Sequence, residues 1–274
     1  MMEEVSRGHI ILFHEFSTLA EEVEELRKEL SALMFERDEL KFVVAKNLEM
    51  NYMLQVGGLE YKVYETQCQM LRCRRKLELI QAQKNRQETI DLSHIEKLLH
   101  QEFLDYMVKL EEKMQAMTLA IERSKSECLT LSEAREFKRM YRQIVRMLHP
   151  DLNPNLSETR LRLFYQAVNA YEMGDLLTMR LIFEMVSNET IPKQEPSAIS
   201  ALVEEKKRLI TLTHQLKEEL TQIRAQFPFT VENLLNHRDQ LEAYKLELEK
   251  VCSQYEEATL SYQTRIKRLM EERS

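Results

Sequence analysis

From Leu12 onward, apolar residues recur at alternating spacings of four and three. The seam reads Leu12, Phe16, Leu19, Val23, Leu26, Leu30, Leu33, Arg37, Leu40, Val44, Asn47, Asn51, Leu54. A seven-residue repeat with apolar a and d positions holds one helix face against another helix, so this stretch commits the chain to a coiled coil. Flanks such as Glu21-Glu22 and Glu24-Glu25 with Arg27-Lys28 fit the solvated positions. Arg37, Asn47 and Asn51 interrupt the seam. Polar seam residues set register or partner number, or the seam simply weakens toward its end; the sequence leaves both open. With only 4 Gly and 5 Pro in 274 residues, turns are too few for a strand-based fold. A 43% hydrophobic and 31% charged composition without Trp suits long helices with narrow apolar seams. The expected fold class is all-α: long coiled-coil helices flanking a small antiparallel helical hairpin.

Gly57-Gly58 follows the heptads and reads as a helix cap and reversal. A second seam, Leu59, Val63, Thr66, Met70, Cys73, Leu77 and Ile80, then predicts an antiparallel hairpin with the first helix, one way to bury the first seam; another chain is the other. The basic patch from Arg72 to Lys76 reads as a solvated face pairing with the acidic first helix. Ser93-His94-Ile95-Glu96 has the form of a capping box and opens a third helix, with Met114 and Met117 as core filling and His94 and His100 on the surface. Thr130-Leu131-Ser132-Glu133 is another capping box. Pro192 and Pro196 mark a linker. Heptads resume at Ile199, Leu202, Leu209, Leu216, Leu220 and Ile223, and Phe227-Pro228-Phe229 breaks them. Thr230 is then placed to cap a final helix. The expected division is 1–129 helical hairpin region, 130–187 small module, 188–198 linker and 199–274 second coil.

A formal net charge of −7 argues against a general nucleic-acid binder. Cys68, Cys73, Cys128 and Cys252 lack the spacing of a secreted disulfide framework or a zinc finger, which points to free thiols in a reducing cytoplasm. The run Ile10-Ile11-Leu12-Phe13 is too short for a signal peptide or a membrane span. No cofactor or metal site is expected, and a homodimer through the coils is.

The densest cluster of unusual residues lies after Thr130. One face of the helix there runs Phe137, Tyr141, Ile144, Leu148, and the opposite face runs Arg135, Arg139, Arg142, Arg146 with Lys138 beside it. A purely basic stripe in an acidic protein points to an acidic partner. Pro150 stops the helix at His149 and Pro154 stiffens the loop. Ser157 caps the next helix, whose inner face is Leu161, Phe164, Val168 and Tyr171. Gly174 ends it, and Asp175 caps a last short helix.

Tyr141-Arg142, His149-Pro150-Asp151-Leu152-Asn153-Pro154, Phe164 and Asn169-Ala170-Tyr171-Glu172 together make residues 133 to 186 resemble the J domain of DnaJ-like co-chaperones. That family shows a basic helix ending in Tyr-His-Pro-Asp-Lys-Asn-Pro, then Phe and Ala-Tyr-Glu at these offsets. The first helix of a standard J domain is missing, and the third helix, ending near Ser124, is the candidate to pack in its place. There is no Gly/Phe-rich segment and no cysteine-rich repeat. The resemblance implies a co-chaperone that docks on a DnaK-type ATPase and speeds its ATP hydrolysis. Lys138, Arg139, Arg142 and Arg146 would then make cationic contacts and Asp151 would meet a partner arginine, while His149 and Pro150 hold the loop. Two other readings compete: a coiled-coil scaffold with a degenerate docking module, and an enzyme using His149 and Asp151 as an acid–base or metal pair. The latter lacks a third group.

Overall fold

The computed structural model describes residues 2–125, 129–187 and 199–271, and side chains from residue 15 onward. The linker 188–198 with Pro192 and Pro196, Cys128 and the Leu12 side chain fall outside what is described. Every element among the described residues is helical. The helices are α1 (Met2–Glu39), α2 (Ala45–Tyr52), α3 (Gly58–Asn85), α4 (Leu92–Glu102), α5 (Leu104–Lys125), α6 (Leu131–Leu148), α7 (Glu158–Met173), α8 (Leu176–Ser187), α9 (Ile199–Arg224), α10 (Glu232–Asn236) and α11 (Arg238–Glu271). The all-α expectation holds. The chain forms two compact units, each drawn from separated segments: Met1–Lys46 with Glu127–Phe229, and Asn47–Ser126 with Thr230–Ser274.

In the first unit α1 pairs with α9. Arg27–Glu205 and Lys41–Glu219 are each 178 positions apart, and Arg224–Glu36 is 188 apart. In a parallel two-stranded coil, e and g residues pair across the seam to either side of the register. The register therefore lies midway between 178 and 188. It sets Leu19, Leu26 and Leu33 opposite Leu202, Leu209 and Leu216, and Val23, Leu30 and Arg37 opposite Lys206, Thr213 and Leu220. Leu30, Leu202 and Leu209 are fully enclosed. Neither of the two expected burial partners for the first seam is the one found. α9 of the same chain covers the seam from Leu19 to Arg37, while Leu54 at its far end is 49% exposed.

The polar seam residues fit this pairing better than a parallel, in-register pairing of like helices. Such a dimer of α1 would set Arg37 against Arg37, and one of α9 would set Lys206 against Lys206. Within the chain, each cation has an apolar residue opposite it and an acid beside it. Lys206 reaches Glu22 at 2.8 Å, and Arg37 donates to Asp38 at 2.8 Å.

Beyond the coil, α1 also covers the small helices α6, α7 and α8. Phe35 lies 6.3 Å from the ring of Tyr141 and 6.2 Å from that of Tyr171, and the Tyr141 hydroxyl donates to buried Asp38 at 2.7 Å. Burial and the Asp38 carboxylate both push the Tyr141 phenol pKa up.

The second unit repeats the parallel arrangement with α3 and α11. Glu60–Tyr244 and Thr66–Cys252 rise together along the two helices, and Ile80 shares a core cluster with Ile266. No reversal occurs at Gly57-Gly58: both residues are right-handed helical, and the π-helical segment Met53–Gly57 leads directly into α3. Gly57 serves close approach instead. A Cβ there would meet the Met53 sulfur at 3.1 Å and the Met117 side chain of α5 at 3.4 Å. The basic patch pairs with α4 rather than the first helix, through Arg72–Glu96, Lys76–Glu96 and Arg75–Glu102. Met114 is 42% exposed and so is not core filling. Asp91, not Ser93, caps α4, by accepting from the His94 amide at 2.9 Å. Thr230 lies inside a 3-10 turn and caps nothing, and α11 begins at Arg238.

The parallel register is testable by cross-linking. Leu26→Cys combined with Leu209→Cys should oxidise to an intrachain disulfide beyond the level of either single variant, with the protein remaining one chain on a denaturing gel. Cross-linked dimers as the main product would contradict the pairing.

Candidate functional site

The loop between α6 and α7 is fixed from both ends. α6 starts at the Thr130 capping box: the Glu133 amide donates to Thr130 Oγ1 at 3.3 Å and the Thr130 amide to Glu133 Oε2 at 2.9 Å. It stops at Leu148 because Pro150 forces the preceding residue out of the helical region; His149 sits at φ −67°, ψ 127°. The amides of Leu152 and Asn153 both donate to the His149 carbonyl, at 3.1 and 2.9 Å. Asn153 Nδ2 donates to the Arg146 carbonyl at 3.1 Å and the His149 carbonyl at 3.3 Å. These bonds satisfy carbonyls that the helix end leaves open. Ser157 caps α7, and Gly174, at φ 72°, closes it as expected.

Ring contacts set the direction of the two helices. Phe137 stacks on Tyr171 at 5.2 Å, Tyr141 stacks on Tyr171 at 4.0 Å, and His149 meets Phe164 edge-on at 5.0 Å. Rising numbers on α6 meet falling numbers on α7, so the pair is antiparallel. Every residue of the expected α6 inner face, Phe137, Tyr141, Ile144 and Leu148, is buried.

His149 is 5% exposed, and its Nδ1 accepts the Asp151 amide hydrogen at 3.1 Å. An imidazole nitrogen that accepts cannot also carry a proton, so the geometry holds the ring neutral. Burial pushes the His149 pKa below its ordinary value; the Asp151 carboxylate pulls it up and Arg37 pushes it down. The Asp151 side chain is half exposed, with Oδ2 3.9 Å from His149 Nδ1. His149 is thus a packed bracket with its Nδ1 occupied, not a proton shuttle. Pro150 is partly exposed at the turn. The Asp151 backbone is held by its amide bond to His149, and its carboxylate is half exposed to solvent.

The four cations singled out on α6 differ in surroundings. Lys138 pairs with Glu39, and Arg146 with Glu24 at 2.7 Å. The Arg142 guanidinium lies over the Phe35 ring at 4.1 Å, a cation–π contact. Arg139 is exposed. The stripe is therefore not wholly free for a partner, because acidic and aromatic residues of α1 run along it. α1 is also the helix that packs on α6 where the third helix was expected; that third helix, as α4 and α5, belongs to the other unit.

Sequence reasoning missed Asn153, Asp38 and Arg208. Asn153 was visible as the Asn before Pro154, a turn residue whose amide can bond back to the backbone. Arg208 Nη1 donates to the Asp151 carbonyl at 2.8 Å from α9. No local pattern announces it, since it depends on the register of a helix far along the chain.

The buried neutral histidine gives a pH dependence. A depressed folded-state pKa means that the unfolded chain binds the proton more readily. The stability contribution is complete above the unfolded value, about 6.5, and is lost as pH falls through the folded-state value. The thermal midpoint of the wild type should fall on acidification from about pH 7 to pH 5, and His149→Gln should fall less steeply. An equal slope in both proteins would contradict the assignment.

Comparison of the chain with protein-family models, with curated proteins and with solved structures finds no match.

Proposed function

We propose that this chain is a co-chaperone that docks on a DnaK-type ATPase through the His149-Pro150-Asp151 loop and stimulates its ATP hydrolysis. The observation that carries the reading is the division of labour within the loop. His149 is buried, neutral and packed on Phe164, while the Asp151 carboxylate beside it is half exposed. A charge held this way binds an opposite charge with little ordering cost. Arg139 and Arg142 lie about three and two turns before the loop and supply positive charge for an acidic partner surface. His149, with Nδ1 already bonded to an amide, suits a bracket better than an acid–base group.

A second reading, a coiled-coil scaffold with a degenerate docking module, is favoured by the pairing of Lys138 with Glu39 and of Arg146 with Glu24. Those two cations are already partly neutralised. The co-chaperone reading therefore rests on Arg142 and Arg139 more than on Lys138 or Arg146. It needs no homodimer through the coils, since α1 and α9 of one chain already enclose Leu30, Leu202 and Leu209. Among the described residues no helix is long and apolar enough to cross a membrane. Cys68, Cys73 and Cys252 are free thiols, in keeping with a place in the cytoplasm beside a DnaK-type chaperone.

The test is steady-state ATP hydrolysis by the DnaK-type chaperone of the same cell, with the wild type and three variants. Asp151→Asn and His149→Gln should each remove the stimulation while leaving helicity unchanged; loss of one member of a buried interfacial charge pair costs about 2–5 kcal/mol. Arg142→Ala should weaken the stimulation most at low salt, because its contact lies nearer solvent. A wild type that stimulates no such ATPase would overturn the reading in favour of the scaffold.

A further inference from the structure

The loop 149–153 has a third clamp that comes from outside the small module. Arg208 of α9 donates through Nη1 to the Asp151 carbonyl at 2.8 Å. Its other side is held by a bidentate pair, Nε and Nη2 to Glu205 at 2.8 and 2.9 Å. Glu205 in turn accepts from Arg27 of α1 at 3.0 Å and is only 16% exposed. A continuous chain of charged hydrogen bonds thus runs from α1, through α9, to the backbone of the residue whose carboxylate faces solvent.

The chemistry at Asp151 is specific. Arg208 bonds to the backbone oxygen, and the carboxylate of the same residue remains half exposed. The guanidinium therefore bonds the peptide and also feels the Asp151 charge, while the carboxylate stays half exposed to solvent. Charge-assisted bonds with forked geometry lose little entropy when they form, which suits Arg208 to holding a loop.

We infer that Arg208 is a positioning residue of the docking site: from behind the loop it holds the Asp151 peptide so that the carboxylate is presented in one orientation. This inference rests on the co-chaperone reading. Arg208→Ala should leave the maximal stimulated ATPase rate close to wild type but raise the concentration for half-maximal stimulation about tenfold, as expected for loss of a charged hydrogen bond. Arg208→Lys, which keeps the charge but not the fork, should recover part of that loss.

Lys217→Ala is the control for weakening of the coil alone. It removes the Lys217–Glu29 pair at 2.7 Å, away from the loop, and should leave the half-maximal concentration unchanged. A partner-free measurement runs alongside: amide hydrogen exchange of residues 151–155 should accelerate in Arg208→Ala and stay unchanged in Lys217→Ala. Unchanged loop exchange in Arg208→Ala overturns the inference. So does a wild-type half-maximal concentration in that variant, or an equal rise in Lys217→Ala. Absence of wild-type stimulation overturns the co-chaperone reading instead, and the exchange measurement then decides by itself whether Arg208 holds the loop.

Discussion

The parallel pairing of α1 with α9 is the interaction on which the first unit depends. α1 gives one edge to the coil seam and another to the small helices. Leu30 is enclosed in the same core cluster as Tyr141, Tyr171 and Met179. Three short helices bury little apolar surface by themselves, and small cores are hard to stabilise. The coil supplies what they lack: Phe35 against two tyrosine rings, Asp38 beneath the Tyr141 hydroxyl, and Arg208 behind the loop. Its layers contain Arg37, Thr213 and Lys206, which weaken the seam but specify which helix pairs with which.

This arrangement alters how the basic helix is understood. A cationic stripe read from sequence alone is a surface awaiting an acidic partner. Here the acidic helix α1 lies along it and engages Lys138 and Arg146, while Arg142 rests on Phe35. Exposed ion pairs of this kind contribute little to stability, about 0–1 kcal/mol each. They reduce the positive field of the stripe, so the partner proposed above would meet Arg139, Arg142 and Asp151 more than Lys138 or Arg146.

The local features were legible in the sequence. The heptads of α1 and α9, the Thr130 capping box, the stop at His149, the inner faces of α6 and α7 and the left-handed Gly174 all follow from short-range rules. What was not legible is which elements meet. Gly57-Gly58 reads as a cap and reversal, whereas its helical dihedrals and the Met117 side chain over Gly57 make it a point of close approach inside a continuing helix. The parallel partner of α1 lies far along the chain, so the first seam looked as if it needed a neighbouring hairpin arm or a second copy. Arg208 was invisible for the same reason, because its role depends on that long-range register. The burial of His149 could be guessed from the motif, but not that its Nδ1 accepts the Asp151 amide hydrogen.

If the coil and the small helices form one cooperative unit, a defect buried in the coil must be felt in α6 and α7. Leu209→Ala removes a fully buried seam residue, a change that commonly costs about 2–5 kcal/mol. Native-state amide exchange of this variant, followed over Met140 to Leu148 and over Phe164 to Tyr171, measures the coupling directly. The account predicts that both stretches lose protection along with α9. Wild-type protection in α6 and α7 with loss confined to α9 would show that the small module folds without the coil, and would contradict it.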